Sequence, residues 1–465
     1  MIPFVAGDAL RWTGGVLARG DPEVRFTGVS TDTRGDVAGK LFVALVGPRH
    51  DAHAFLAQAL AAGATGLLVQ RADAPPAGSR AVVLVVPDTT LALGALAAGH
   101  RAGFQGPLVA ITGSNGKTTT KEMCAAILGV GGPCLKNRGN LNNNIGLPLT
   151  LLERDAVHRT LVIEIGMNHR GEIAPLAAIA RPTVGVITNV GTAHIEHLGS
   201  RDAIAEEKGE LVAALGPGAT AVLNAGDPRV LAQRARTRAR CVTFGLAEAA
   251  QVRADRVTAL GERGFAFDLV AEGRRTAVQL AGLADSTVPN ALAAAAAALA
   301  AGASLGDVAE GLARYQPVGG RMERVTLPRN IILINDTYNA NPQSMQVALE
   351  SLAKLKGSSR GIAVLGDMGE LGDAALAAHR ATGALVAALR LDHLFALGHF
   401  AEPLAEAAVG AGMASDRVHV GGSHEEVAAA LRELLQGNDW VLVKGSRSMK
   451  MERVVAALAA PAEAR

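Results

Sequence analysis

Apolar and polar positions along this chain follow two alternating periods, and that alternation predicts the architecture. The runs LVAIT at 108–112, TLVIEIG at 160–166 and TVGVITNVG at 183–191 are apolar on both faces, and each precedes a stretch patterned at helical spacing. Strands of that kind belong to a parallel sheet covered by helices on either side. Beyond Gly319 and Gly320 the alternation resumes with IILIND, GIAVLGD, HLFALG, RVHVGG and WVLVKGS, separated by alanine-rich helical segments, so a second doubly wound domain follows. The first 70 residues hold shorter apolar runs broken by turn signals, and they end near the proline-rich segment ADAPPAGSR. The expected fold is α/β in three domains. A small α/β domain occupies 1–86, a central parallel-sheet domain 87–317 and a Rossmann-like domain 318–465. The length of 465 residues agrees with that division at about 150 residues per domain.

The stretch 108–123, LVAITGSNGKTTTKEM, carries the clearest chemistry. An apolar strand enters a glycine loop that opens a helix, which makes the central domain P-loop and ATPase-like. Gly113 and Gly116 allow backbone N–H groups of Ser114, Asn115 and the following residues to approach anionic oxygens. Lys117 supplies a point charge for the terminal phosphates, Thr118 offers a hydroxyl to magnesium, and Thr119 extends the cradle. The usual leading glycine is replaced by Ile111, so the loop is a shortened version. A bare strand-turn-helix connection explains the glycines alone; Gly-Lys-Thr-Thr at a helix start points to ATP or GTP.

Several residues break the pattern around them. Glu164 puts a carboxylate into a strand expected to be buried on both faces, where an isolated charge is costly. It is either an edge or ion-paired residue, or a metal ligand near the strand end. In AIAEEKGELVAAL, helical spacing places Lys208 on the apolar face with Ile204, Leu211, Val212 and Leu215. Its ammonium either snorkels to water or sits desolvated as a neutral amine. His194 and His197 follow the strand 183–191, with Asn189 at its end; they are solvated loop residues or ligand contacts. Asp336 and Lys444 sit at equivalent strand ends in the last domain, either as ligand contacts or as caps and surface pairs.

Composition narrows the class of partner. The net charge is only +2 with both signs interspersed, so no electrostatic footprint for nucleic acid is present. Cys124, Cys134 and Cys241 show no metal spacing and fit a reducing compartment. No uncharged run is long enough to span a bilayer, and the N-terminus MIPFVAGDAL lacks a signal pattern. A soluble, cytoplasmic monomer acting on small molecules is expected.

The segments GSNGKTT, IEIGMN, NVGTAHIEHLGS, EEKGEL, GRMERV, NDTYNANPQSM, LGDMGELG and VKGSRSMKMERVV resemble the Mur ligase family in order and spacing over nearly the whole chain. TYNANPQSM, GDMGELG, KGSRSMKMERVV and GNLNNNIGLPLTLL are similar to the branch that joins D-alanyl-D-alanine to a UDP-N-acetylmuramoyl-tripeptide. The N-terminal run GVSTDTRGDVAGKLF resembles the family's uridine-nucleotide domain, which implies that Ser30, Thr31, Asp32 and Arg34 lie near the UDP-sugar.

That resemblance implies an ATP-dependent amide ligation through an acyl phosphate. By motif it implies that Thr118 and Glu164 hold one magnesium and His194 a second, and that Lys208 is carbamylated to help hold the second. It implies further that Asn290 contacts adenine and that Arg321 and Asp336 reach the nucleotide. Asn339 and Lys444 would face the reacting groups. One departure stands out, Ser286 in a position usually held by histidine; Asn144 occupies a position where an acidic or amide residue is common. Domain closure about residues 316–320 is expected, because three domains contribute to one site. Rival readings are a third-residue-adding ligase, a folylpolyglutamate synthase, or a nucleotide switch that ligates nothing. The chain lacks Asp-Asn-Pro-Arg, expected of the first, and Asn-Lys-x-Asp, expected of a guanine-binding switch. Whether the tripeptide ends in lysine or diaminopimelate does not follow from these residues.

Overall fold

The computed structural model describes residues 1–76 and 78–460. Its strands form three large sheets. The first runs Val16–Arg19, Val82–Val85, Gly66–Val69, Leu41–Val43, Val29–Ser30 across its width, parallel except for the antiparallel edge strand Val16–Arg19. A short antiparallel pair, Phe4–Val5 with Arg25–Phe26, stands beside it.

The central sheet has nine strands. From one edge they are Cys134–Lys136, Thr160–Glu164, Leu108–Thr112, Val184–Ile187, Thr220–Asn224, Arg240–Gly245, Val252–Ala259, Phe265–Ala271 and Arg274–Leu280. The first seven are mutually parallel, and their residues alternate between two cores. Leu108, Ala110, Leu161 and Ile163 pack with the helices Thr89–Ala102, Ile173–Ala180 and Arg201–Ala213; Val109, Ile111 and Val162 pack with Lys117–Leu128 and Thr287–Ala300. Fully burying each of the Leu, Ile and Val side chains among them contributes about 1.5–3 kcal/mol, which explains runs apolar on both faces. The far edge departs from the wholly parallel sheet that the pattern suggests. Phe265–Ala271 pairs antiparallel with both of its neighbours, and the three last strands carry alternating or largely exposed residues. Only one of their faces has a core to cover, so period-two alternation replaces the apolar run.

The last sheet runs Glu323–Leu327, Ile331–Asp336, Trp440–Lys444, Gly361–Gly366, His393–Leu397, Val418–Gly421. It is parallel apart from the edge strand Glu323–Leu327, and an apolar core lies on each face. Parallel sheets gather ligands beyond the carboxyl ends of their strands. Leu108–Thr112, Thr160–Glu164, Ile331–Asp336 and Trp440–Lys444 all end at one cleft, since residues at or just beyond their ends line a single cavity of about 1480 Å³. No helix among the described residues is long and apolar enough to cross a membrane, and all three cysteines are free thiols.

Candidate active site

The glycine loop joins Leu108–Thr112 to the helix Lys117–Leu128. Its shape demands glycine twice. Gly113 has φ +151°, and a Cβ there would fall 1.8 Å from Thr188 Oγ1; Gly116 has φ +80°, and its Cβ would fall 2.2 Å from Asn290 Oδ1. The neighbouring loop after Val184–Ile187 pins the cradle: Ser114 N–H donates to the Asn189 carbonyl (3.0 Å), Asn115 N–H to Asn189 Oδ1 (2.9 Å), and Thr188 Oγ1 to the Asn115 carbonyl (2.6 Å). Lys117 Nζ donates to the Gly113 carbonyl at 2.9 Å, lying across the loop it would serve. Lys117 keeps some surface open to the cleft, yet desolvation lowers its pKa, with Glu164 opposing and Arg321 reinforcing the shift.

Glu164 ends its strand in the cavity wall and is 3% exposed. Both of its oxygens are engaged. Thr118 Oγ1 donates to Oε2 at 2.6 Å and Asn142 Nδ2 to Oε1 at 2.7 Å. A hydroxyl and a carboxylate side by side form an all-oxygen donor set, which suits a hard divalent cation bound together with phosphate oxygens. Among the described residues no cluster of three or more His, Cys, Asp or Glu side chains could hold a metal unaided. With two oxygens from the chain, the donor set leaves most of a hard cation's sphere to other oxygen ligands.

His194 lies at the start of the short helix Ile195–Leu198, in the left-handed region at φ +63°, and its ring faces the cleft. Its Nδ1 is 2.5 Å from the carboxylate of Glu370, a last-domain residue, and this contact is the main cause that lowers the pKa of Glu370. His197 is not part of the cavity wall; its ring lies 4.7 Å from that of His169. Lys208 is 1% exposed on the inner face of Arg201–Ala213. Among the described residues its ammonium has neither hydrogen bond nor ion pair. Burial first, and then the charge of Lys117, hold its pKa well below the ordinary 10.5 against the opposing pull of Glu207. Glu207 is itself occupied, accepting from the N–H groups of Gly171 and Ile173.

The last domain closes the opposite wall. Asp336 and Lys444 are register partners on adjacent strands, and Lys444 Nζ lies 2.5 Å from Asp336 and 2.9 Å from the Asn339 carbonyl. Lys444 is 2% exposed and Asp336 14%, so a buried ammonium meets a partly exposed carboxylate. Arg321 stacks its guanidinium 4.0 Å from the centre of the Tyr338 ring. Asn341 Nδ2 donates to Asn115 Oδ1 at 2.8 Å, and Thr192 N–H donates to Gln343 Oε1 at 3.1 Å, so the last domain touches the phosphate loop directly.

Ser114, Asn115, Gly116, Lys117, Thr118, Thr119, Glu164, His194, Asn290, Arg321, Asp336, Asn339 and Lys444 thus share one cavity wall. Ser286 lines the same wall. Gly113 and Lys208 do not line it, although Lys208 feels the charge of Lys117. Ser30, Thr31, Asp32 and Arg34 do not line it; they form a separate turn on the first domain. There Arg34 grips the Asp32 carboxylate, which pushes the Asp32 pKa down to about 2. Sequence reasoning gave no role to Asn142, Glu370, Asn341 and Gln343. All four lie inside segments that carried the family resemblance, and their partners are distant in the chain.

Comparison with known proteins follows the same lines. The description of the Mur ligase middle domain matches residues 111–298, and that of the Mur ligase glutamate ligase domain matches residues 320–447. A UDP-N-acetylmuramoyl-tripeptide–D-alanyl-D-alanine ligase of Synechocystis is 40% identical over 94% of this chain and 93% of its own. A crystal structure of MurF from Acinetobacter baumannii superposes with a TM-score of 0.90 at 36% identity, covering 98% of this chain and 99% of the other. MurF from Thermotoga maritima, solved in complex with ADP, gives 0.80 at 29% identity over 93% and 96%.

Proposed function

The chain belongs to the Mur ligase family, and from that premise we propose that it joins D-alanyl-D-alanine to UDP-N-acetylmuramoyl-tripeptide at the expense of ATP. The product is the UDP-muramoyl-pentapeptide precursor of peptidoglycan, with ADP and phosphate. The observation that carries this reading is the single cavity in which the phosphate loop, the Thr118–Glu164 pair and the last-domain Asp336–Lys444 pair face one another.

The chemistry couples two steps. The tripeptide carboxylate attacks the γ-phosphorus, the bond to the bridging oxygen breaks, and its electron pair leaves on ADP. The D-alanyl-D-alanine amine then attacks the acyl carbon, loses a proton to water and displaces phosphate. The obstacle in the first step is bringing two anions together. Lys117, at the loop's end, meets the charge that gathers on the transferring group, and the loop N–H groups orient the nucleotide. Magnesium, when bound, supplies further charge neutralisation, with Thr118 and Glu164 as the residues to hold one ion and His194 and a carbamylated Lys208 a second. Desolvation favours the neutral form of Lys208, and only the neutral amine adds to carbon dioxide, forming an N–C bond and releasing one proton. Asn290, which lies over Gly116, contacts the adenine in this reading, while Arg321 and Asp336 reach the nucleotide from the last domain. The turn Ser30–Arg34 takes the UDP-sugar, and Asn339 and Lys444 face the incoming dipeptide.

Mass spectrometry of the products from ATP, candidate UDP-tripeptides and D-alanyl-D-alanine tests the proposal. Phosphate release that requires both co-substrates, with a pentapeptide product, is expected; release indifferent to both would return the chain to a nucleotide switch. Lys208→Ala should abolish ligation and recover partly with added short carboxylic acids. Full activity without rescue would end the carbamate reading.

A further inference from the structure

Lys121 is a fully buried lysine that the ligation chemistry leaves unused. It is 0% exposed, one turn after Lys117 on the same helix, and points away from the cleft into the packing beneath the phosphate loop. Its Nζ donates to the Asn137 carbonyl at 2.6 Å and lies 3.0 Å from Glu122 Oε1. Asn137 is itself 1% exposed and spends its whole side chain on its neighbours. Its Oδ1 accepts from Glu164 N–H at 2.9 Å, and its Nδ2 donates to the Leu141 carbonyl at 2.9 Å. Leu141 is followed by Asn142, whose Nδ2 reaches Glu164 Oε1 at 2.7 Å and whose carbonyl accepts from Gly166 N–H at 2.9 Å.

These contacts make a continuous path. It starts at the helix that begins with the phosphate loop, passes through the asparagine-rich loop, and ends at both the backbone and the carboxylate of Glu164. A buried ammonium is costly unless its donors are used, so its retention here goes with fixing that loop. Asn142 and Thr118 each hold one carboxylate oxygen, which leaves the group a single orientation in the cavity wall. We propose that Lys121 and Asn142 are positioning residues that act through Asn137 and directly on Glu164, presenting its carboxylate to the cation that accompanies the nucleotide. The inference rests on Glu164 being a magnesium ligand, as in the proposed function.

The test is calorimetric titration of the full chain with the β,γ-methylene analogue of ATP, once with excess magnesium and once with EDTA. The readout is the ratio of the two dissociation constants, which a general loss of folding would not move selectively. Glu164→Gln is the control for the underlying reading. In the wild type the ratio is large, and in Glu164→Gln it collapses towards one; a wild-type ratio retained by Glu164→Gln would refute Glu164 as the ligand. Given that collapse, Asn142→Ala and Lys121→Met are expected to cut the ratio about 10- to 100-fold, the usual effect of removing a group that orients a metal ligand, with the EDTA constant within about twofold of wild type. Folded variants with the wild-type ratio, or with equal losses in both titrations, would overturn the positioning role. Asn142 lies on the loop's partly exposed side, so Asn142→Ala decides the question if Lys121→Met does not fold.

Discussion

Gly113→Ala is the substitution whose cost is most directly set by the backbone. The added Cβ would sit 1.8 Å from Thr188 Oγ1 and 3.1 Å from Thr188 Cβ, at φ +151°. Thr188 is 3% exposed and its hydroxyl holds the Asn115 carbonyl at 2.6 Å, so it cannot step aside without giving up that bond. A net hydrogen bond contributes about 0.5–1.5 kcal/mol. Holding a residue other than glycine in so sparsely populated a conformation costs about 1–3 kcal/mol more. The sum, about 1.5–4.5 kcal/mol, corresponds to about 10- to 2000-fold in an equilibrium constant. If the loop relaxes by leaving its binding shape, the loss appears in nucleotide affinity; if it is held, the loss appears in stability. Calorimetric titration with ADP and thermal melting, run together, capture both. Gly129→Ala is the matched control, because Gly129 at the other end of the same helix has ordinary helical φ and ψ and nothing within 4 Å of its Cβ position. A Gly113→Ala protein that matches Gly129→Ala in both affinity and melting temperature would refute the reasoning.

Three further outcomes are expected. Lys208→Met alters the dependence of stability on pH in carbon-dioxide-free buffer: the folded lysine has a depressed pKa, so between that value and 10.5 the unfolded chain binds more protons and wild-type stability rises with pH, by up to about 1.36 kcal/mol per unit. Urea denaturation at pH 7, 8 and 9 should show that slope reduced in the variant, and equal slopes would count against a desolvated Lys208. Asp336→Ala strands the buried Lys444 and leaves Met322 N–H without its acceptor, so unfolding should ease by about 3–5 kcal/mol, read from the urea midpoint of the last domain. Lys117→Met removes a charged donor worth about 1.5–3 kcal/mol to a phosphate, so binding of the methylene ATP analogue should weaken about 10- to 150-fold with a smaller loss for ADP; equal losses for both nucleotides would place Lys117 away from the terminal phosphate.

Glu164 and Lys208 show what a sequence exposes and why. Each is a charge set into a periodic apolar pattern that points it inward, with an edge position for Glu164 and a snorkelling ammonium for Lys208 as the alternatives; the structure settles both by placing them at 3% and 1% exposure. The strands that end at Asp336 and Lys444 were equally readable as apolar runs, but their pairing was not, because strand order decides which ends become neighbours. Periodicity is silent in loops. Asn142 meets Glu164 across 22 positions, Gln343 meets Thr192 across 151, and Asn341 meets Asn115 across 226. No local rule assigns an asparagine in NLNNNIG to one carboxylate oxygen rather than to a turn, since both uses suit the same side chain. The antiparallel strands 252–280 were a different kind of omission: their alternation was present in the residues, and only the expectation of a continued parallel sheet hid it. What periodicity reveals for these two residues is therefore that their side chains point inward, and what the fold adds is what they meet there. For Glu164 that addition is specific. A buried carboxylate alone is as compatible with a structural ion pair as with catalysis, and here its oxygens are held by Thr118 and Asn142 with no cation of the chain within ion-pair distance among the described residues, so an ion pair does not account for its burial.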